Sequence, residues 1–255
     1  MTAYEQREPD QLEGVPPPEF QRAVVGHERA LADLRARLQQ RRLPGGIMLH
    51  GPLGIGKATL AFRMAREIFA ATGDEDPAHI DEQVAAGAYP NLFVLRKAPK
   101  ETGRGFYTVI RVDDVRLAIE RLQRTRGRAG HRVVVVDPID DANPNAANAL
   151  LKILEEPPAD TTFFLVSHRP GSLLPTIRSR CHPIALRPLA DAQVRAVLAM
   201  TRPDIGAAEL ERAVSLAGGS PRRGFEALLL GDATALAALN GLGNPDVLAV
   251  GQVLR

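Results

Sequence analysis

The chain has 255 residues, 45% of them apolar and 24% charged, which is typical of a globular protein with one sizeable core and a small second domain. A formal charge of +2 does not by itself indicate nucleic-acid binding, and the single cysteine, Cys181, excludes an internal disulfide and a zinc site built from several cysteines. Without a run of about eighteen apolar residues or a signal segment, we expect a cytoplasmic protein that does not contact a membrane.

The N-terminal part of the chain predicts a tail, a helix and a strand. Residues 1–18 are polar and end in consecutive prolines, which predicts a flexible tail. The apolar spacing from residue 25 onward predicts a helix that ends near Arg42, before a Pro-Gly-Gly sequence. Residues 47–49 form an apolar run that predicts a buried strand.

Residues 51–59, which we call the phosphate loop, place glycines at the turn from this strand into a helical pattern. Gly51 and Gly56 permit a tight turn whose N–H groups face an anion, and Lys57 can reach the outer phosphates of a nucleotide. Position 58 is alanine, where a hydroxyl would ligate Mg²⁺, and Thr59 is turned about 100° away around the helix. The loop is therefore degenerate: weak binding of ATP or ADP stays open, and metal-assisted hydrolysis is not expected.

The rest of the chain alternates between strand and helix patterns up to Pro188. Strands are predicted at residues 92–95, 133–136, 162–166 and 183–186, and helices at 112–122, 145–156 and 173–178. This alternation predicts an α/β fold with a parallel sheet and helices on both faces. Residues 194–200, 208–216 and 224–230 then predict three helices of a small separate bundle.

In nucleotide hydrolases with such a loop, a second strand ends in a carboxylate that holds Mg²⁺. The residue after it is commonly a glutamate that activates water. Asp137 has the first position here, but Pro138 follows it and cannot act as a base. We interpret Asp140 and Asp141, beyond the proline turn, as caps of the next helix, with a replacement base as the alternative. Since the loop hydroxyl and the base are both missing, the chain is not expected to turn over ATP itself.

Four segments are more specific to one protein family than the phosphate loop alone; they lie at residues 148–158, 163–167, 175–181 and 218–222. From about residue 24 to 223 they resemble the bacterial sliding-clamp loader family of AAA+ proteins, and within it the delta-prime subunits of DNA polymerase III. The resemblance implies an AAA+ phosphate-loop domain over residues 19–187, with a parallel sheet flanked by helices, and a small all-α lid domain over 188–240. Residues 241–255 would form a linker stub towards a collar domain that this sequence lacks.

The resemblance also implies an assembly. Gamma/tau motor subunits and a delta subunit would form a hetero-pentamer with this chain and load the sliding clamp onto primed DNA. Arg180, in the Ser179-Arg180-Cys181 triplet, would reach ATP in the neighbouring subunit, and Ser179 would orient the turn. An arginine paired with a local carboxylate is the alternative interpretation. The chain would then be a subunit of a polymerase holoenzyme rather than an ATPase of its own.

Ser167 and Arg222 match the sensor positions of the family, where a response to nucleotide and a role in folding alone both stay open. Lys152 projects from the helix that lies near DNA in the family, and is interpreted either as a surface lysine or as a phosphate contact. No zinc is expected, because the four-cysteine module common in the family is missing. The candidate nucleotide-binding residues are Gly51, Gly54, Gly56, Lys57, Thr59, Asp137, Ser167 and Arg222.

Two other functions compete with this interpretation. A hydrolysing motor subunit would need Thr59 and Asp140 to replace the missing groups. A nucleotide-gated DNA-binding initiator or helicase loader would be supported by a basic helix-turn-helix or a nucleic-acid arm, and the sequence shows neither.

Overall fold

Five parallel strands form one sheet in this computed structural model, which describes residues 9–73, 75–123 and 129–230. The strands are β1 (Gly46–His50), β2 (Leu92–Leu95), β3 (Arg132–Val136), β4 (Thr161–Ser167) and β5 (His182–Ala185). Their order across the sheet is β2-β3-β4-β1-β5, so β4 lies between the strand that precedes the phosphate loop and the strand that precedes Asp137. The predicted parallel sheet is confirmed.

Helices cover both faces of the sheet. Those of the sheet domain are α1 (Glu28–Gln39), α2 (Lys57–Thr72), α3 (Pro77–Ala86), α4 (Val112–Gln123), α5 (Pro144–Glu155) and α6 (Pro175–Arg178). Three more follow the last strand: α7 (Asp191–Thr201), α8 (Ala207–Ala217) and α9 (Pro221–Leu230). Within the described ranges, none of these helices is long and apolar enough to cross a membrane.

The sheet is buried on both faces because successive strand residues point to opposite sides. Val133 and Phe164 belong to the core shared with α1, α2 and α3, which extends into the C-terminal helices. Val134 and Phe163, one residue away in each strand, belong to the core shared with α4, α5 and α6. A run of β-branched residues such as 133–136 fits this position because both faces need apolar side chains.

The C-terminal helices contact the sheet domain close to the phosphate loop. The Leu189 N–H donates to the Gly219 carbonyl at 2.8 Å, and the Arg222 N–H donates to the Gly54 carbonyl at 3.3 Å. Helix α9 therefore begins beside the phosphate loop. The end of the predicted lid and the predicted linker stub, residues 231–255, lie outside the described residues.

Residues 9–18 pack against the body, although they belong to the predicted flexible tail, whose first eight residues lie outside the described part. Leu12 and Val15 contact the first core, and Pro17 is buried. Just beyond, the buried Glu19 pairs with Arg96 at 3.3 Å. The tail was predicted to be flexible because most of its residues are polar. Its few apolar side chains cover the adjacent core, and this burial stabilises the fold.

Candidate functional site

The phosphate loop has the backbone shape that its glycines were predicted to allow. Gly54 and Gly56 have φ angles of +75° and +95°, and α2 begins directly after Gly56. A Cβ atom at Gly51 would lie 2.2 Å from the Leu186 carbonyl oxygen, and one at Gly54 would lie 2.3 Å from the Arg222 Cβ. The loop is thus held between β5 and α9, and a side chain at either glycine would push it out of place.

Lys57 lies folded into the phosphate loop. Its Nζ donates to the Gly51 carbonyl at 2.8 Å and to the Pro52 carbonyl. Burial lowers its pKa to about 8, an effect that the negative charges of Asp137 and Asp140 partly offset. The ammonium group is therefore still mostly charged at neutral pH and available to an anion at the loop.

The carboxyl ends of the strands bring the phosphate loop and three polar or charged side chains to one edge of the sheet. Gly51 follows β1, Arg96 follows β2, Asp137 follows β3 and His168 follows β4. Burial raises the pKa of Asp137 to about 6, and the charges of Arg96 and Lys57 oppose that rise. Asp137, the candidate strand-end carboxylate, therefore lies at the same edge as the phosphate loop, because parallel strands end at a common edge.

Ser167 and Asp140 form one hydrogen-bonded unit. The Ser167 hydroxyl donates to Asp140 Oδ1 at 3.2 Å. The same carboxylate accepts the N–H groups of His168 at 2.8 Å and Arg169 at 2.9 Å. Asp140 thereby fixes the chain just after β4, beside the phosphate loop.

The interpretation of Asp140 and Asp141 as caps of the next helix is wrong. Asn143 caps α5, because its Oδ1 accepts the Ala146 N–H at 2.8 Å. Asp141 pairs with Lys97 at 2.7 Å instead. The cap falls to Asn143 because it stands directly before the proline that starts the helix, while the two aspartates lie in the preceding turn and face other strands.

Arg222 lies at the start of α9 against the phosphate loop. Its Nε donates to Glu226 Oε1 at 2.9 Å, and its Nη1 is 3.3 Å from Asp10 Oδ2. Its backbone N–H donates to the Gly54 carbonyl. The structure therefore brings the predicted sensor arginine to the loop, but with carboxylates already at its guanidinium.

A cavity of about 390 Å³ lies between the phosphate loop, α9 and residues 9–18. We call it the nucleotide cavity. Thr59 and His168 line it, and Nδ1 of His168 is buried with no hydrogen-bond partner in the described part of the chain. Its apolar lining includes Val24, Val25, Val197 and Phe225. A cavity of this size, with an apolar wall and a glycine loop, fits a nucleotide, whereas Ala58 offers no hydroxyl to Mg²⁺.

Sequence reasoning missed His27, Arg96 and His168, which all line this cavity. His27 is buried, and its Nε2 lies 2.6 Å from the Ile55 carbonyl oxygen in the phosphate loop. A usable signal existed for two of them, because Arg96 and His168 directly follow strands whose ends meet at the loop. His27 precedes α1, and nothing local in the sequence links it to the loop.

The pKa of His168 predicts a dependence of stability on pH. Burial and the charge of Lys57 lower this pKa from 6.5 to about 4, against the opposing charges of Asp140, Asp141 and Asp10. As the pH falls from 6.5 to 4, the unfolded chain binds a proton that the folded chain does not, so the free energy of unfolding decreases.

We expect wild type to lose about 1–2 kcal/mol more than His168→Gln between pH 7 and pH 5 in urea unfolding. Asp137 acts in the opposite direction, since its pKa is raised to about 6, but it is present in both proteins and cancels in the difference. Parallel pH profiles of the two proteins would contradict a neutral, partly buried His168.

Arg180 lies at the opposite edge of the sheet from the phosphate loop. It precedes β5, whose first residue pairs with Ile47 at the start of β1, whereas the loop follows the end of β1. Five strand residues separate the two edges by about 16 Å. Arg180 is therefore not placed to serve the loop of its own chain.

The surroundings of Arg180 match both interpretations of this residue. Its side chain is 34% exposed, and its Nη2 lies 2.7 Å from Glu155 Oε1 at the end of α5. Its Nη1 donates to the Thr176 carbonyl at 3.0 Å, and the Ser179 hydroxyl donates to the same carbonyl at 3.1 Å. The guanidinium is thus within reach of a neighbouring molecule, and a local carboxylate holds it.

The remaining predicted positions lie near the same edge. Lys152 is exposed on α5, three residues before Glu155, so the two residues share one side of the helix. Cys181 is buried, which raises the pKa of its thiol to about 11 and keeps it protonated and unreactive. In the described ranges, no group of three or more His, Cys, Asp or Glu residues is arranged to hold a metal ion.

Comparison with known proteins identifies the family. A family model described as "DNA polymerase III, delta subunit" matches residues 26–190. The chain is 42% identical over 178 residues to DNA polymerase III subunit delta' of Pseudomonas aeruginosa, covering 68% of this chain and 52% of that protein. It is 32% identical over 207 residues to subunit gamma/tau of Mycobacterium tuberculosis, covering 78% of this chain and 35% of that protein.

Solved structures support the fold. The Holliday junction branch migration motor RuvB of Thermotoga maritima matches with a TM-score of 0.56 and 17% identity, over 90% of this chain and 70% of that chain. The ORC1 protein of Aeropyrum pernix, solved in complex with DNA, matches with a TM-score of 0.57 and 17% identity, over 87% and 62%. The predicted AAA+ fold is confirmed by these neighbours.

The chain spans about half the length of its delta-prime relative. The family model covers well over half of this chain, and the identity to the relative exceeds 40% across two thirds of it. The chain therefore belongs to the delta-prime family of DNA polymerase III subunits.

Proposed function

We propose that this chain is a clamp-loader subunit that supplies Arg180 in trans to ATP bound by a neighbouring gamma/tau motor subunit. The observation that carries this proposal is the position of Arg180, exposed at the sheet edge opposite its own phosphate loop. A guanidinium held there can stabilise charge that develops on the γ-phosphate of a nucleotide in another subunit. Ser179 supports this role by donating to the carbonyl that also accepts from Arg180.

The chain's own phosphate loop is proposed not to hydrolyse ATP. Ala58 removes the hydroxyl that would ligate Mg²⁺, and Pro138 stands where a base is needed. Asp140, the candidate replacement base, is engaged by three hydrogen bonds from Ser167, His168 and Arg169. These contacts argue against the alternative of a hydrolysing motor subunit, because a base must be free to accept a proton from water.

The proposed assembly is a hetero-pentamer with gamma/tau and delta subunits that loads the sliding clamp onto primed DNA. The similarity to both delta-prime and gamma/tau proteins supports it. In this proposal residues 19–187 form the AAA+ domain, and α7, α8 and α9 belong to the lid. Lys152, exposed on the same side of α5 as Glu155, is a candidate contact to DNA phosphate. The fold shared with ORC1 does not favour an initiator, since 17% identity supports the fold alone.

ATP turnover by the protein alone tests the absence of hydrolysis. We expect phosphate release at background level with Mg²⁺, with or without primed DNA, and no change on Lys57→Ala, because the loop hydroxyl and the base are missing. Gamma/tau subunits in the same assay provide the positive control. Turnover that Lys57→Ala abolishes would show instead that this chain is a motor.

A further inference from the structure

Residues 9–18, which we call the N-terminal strap, form one wall of the nucleotide cavity. Leu12 and Val15 attach the strap to the core that also holds α2, the helix that begins at the phosphate loop. Pro17 is buried, so the strap is fixed at its C-terminal end as well. A nucleotide in this cavity would contact the strap as well as the loop.

Asp10 of the strap holds the guanidinium of Arg222. Its carbonyl oxygen accepts from Nη2, and its carboxylate oxygen Oδ2 lies 3.3 Å from Nη1. Glu226 accepts from Nε at 2.9 Å. All three guanidinium nitrogens therefore face oxygen atoms of the chain itself, so a phosphate that binds Arg222 would have to share or replace these contacts.

The negative charge of Asp10 also reaches the phosphate side of the cavity. It is one of the charges that raise the pKa of Asp137 and of His168, two residues beside the phosphate loop. Phosphate oxygens placed between Lys57 and Arg222 would meet this charge directly. Since like charges repel, the strap and a nucleotide compete for the same positive groups.

We propose that the N-terminal strap is a built-in competitor for nucleoside di- and triphosphates, which bind at the phosphate loop without a divalent cation only when Asp10 releases Arg222. This inference deepens the proposed function, because it concerns the regulation of the loop that the proposed function leaves without hydrolysis. Nucleotide binds only the molecules in which the strap is released, so the apparent affinity equals the intrinsic affinity multiplied by the fraction of such molecules.

Binding of mant-ADP in EDTA, followed by fluorescence, tests the competition. We expect Asp10→Asn to raise the affinity about threefold, because the ion pair is partly exposed and worth little. The double variant Leu12→Ser/Val15→Ser removes the apolar attachment and is expected to raise the affinity about tenfold. Glu13→Gln is the matched control: it removes one negative charge from an exposed position of the same strap and should bind like wild type.

Hydrogen exchange on wild type provides a second readout that does not depend on variants. We expect the amides of residues 10–15, the part of the strap between its prolines, to exchange faster with saturating ADP, because nucleotide displaces the strap. Equal affinities of all four proteins, binding absent from all of them, or strap amides that ADP protects would each overturn the proposal. Thermal unfolding confirms that each variant is folded before it is compared.

Failure of this inference and failure of the proposed function have different signatures. Arg180→Ala should leave mant-ADP binding unchanged, since Arg180 lies at the opposite edge of the sheet. If the strap variants bind nucleotide like wild type, the proposed competition is wrong. The role of Arg180 is tested independently, by its effect on turnover in the motor subunits.

Discussion

Replacing Arg180 with alanine is expected to lower ATP turnover at the adjacent motor site by about 10³-fold, the effect of removing an arginine finger. The partly exposed guanidinium lies at the sheet edge opposite its own loop, where it can turn from Glu155 to a neighbouring site, so its loss would leave the γ-phosphate charge of that site uncompensated. The measurement is ATP turnover by the reconstituted assembly with clamp and primed DNA. Because only one site is affected, total turnover should fall by the share that this site contributes. Clamp loading should decline with it.

Three variants separate a finger from a structural arginine. Arg180→Lys keeps the charge but not the planar fork, so it should remain strongly impaired. Glu155→Gln removes the local partner 2.7 Å away and should leave turnover largely intact. Arg116→Ala, which truncates a 70% exposed arginine on α4, is the matched control and should behave like wild type.

Stability should change little on Arg180→Ala, because exposed ion pairs contribute at most about 1 kcal/mol. The donor interpretation is wrong if Arg180→Ala leaves turnover and loading unchanged while Lys57→Ala abolishes both. A loss of turnover that simply follows a loss of folded protein would also contradict it, and thermal unfolding of the variant distinguishes that case.

Asp140→Ala is expected to reduce the free energy of unfolding by about 2–4 kcal/mol. The carboxylate accepts from the Ser167 hydroxyl and from the backbone N–H groups of His168 and Arg169. Alanine leaves these donors without their acceptor beside a buried strand end, and each lost charge-assisted hydrogen bond has a cost. Urea unfolding at pH 7 measures the effect.

Asp140→Asn keeps one acceptor oxygen and should lose roughly half as much stability. Asp113→Ala, at a 76% exposed carboxylate of α4, is the control and should stay within about 0.5 kcal/mol of wild type. If Asp140→Ala is as stable as this control yet abolishes ATP turnover, Asp140 is a base and the motor alternative is correct.

The sequence alone determined the strands, most of the helices and which residues stand at positions 58 and 138. Periodicity and β-branched runs act over a few neighbouring residues, so the run at 133–136 indicates a central strand wherever it occurs. Ala58 has no hydroxyl and Pro138 cannot act as a base, and both facts follow from residue identity alone. The resemblance of residues 148–158 and 175–181 identified the family by the same kind of local information.

Only the tertiary structure decided how the polar groups pair. Asp140 meets Ser167 across 27 positions because the strand order places β3 next to β4. Asp10 meets Arg222 across 212 positions because residues 9–18 and α9 line the same cavity. A carboxylate beside a helix start looks like a cap in the sequence, and its actual partner depends on which strand end lies next to it. Side-chain pairing is therefore a property of long-range packing, whereas secondary structure is encoded by local spacing.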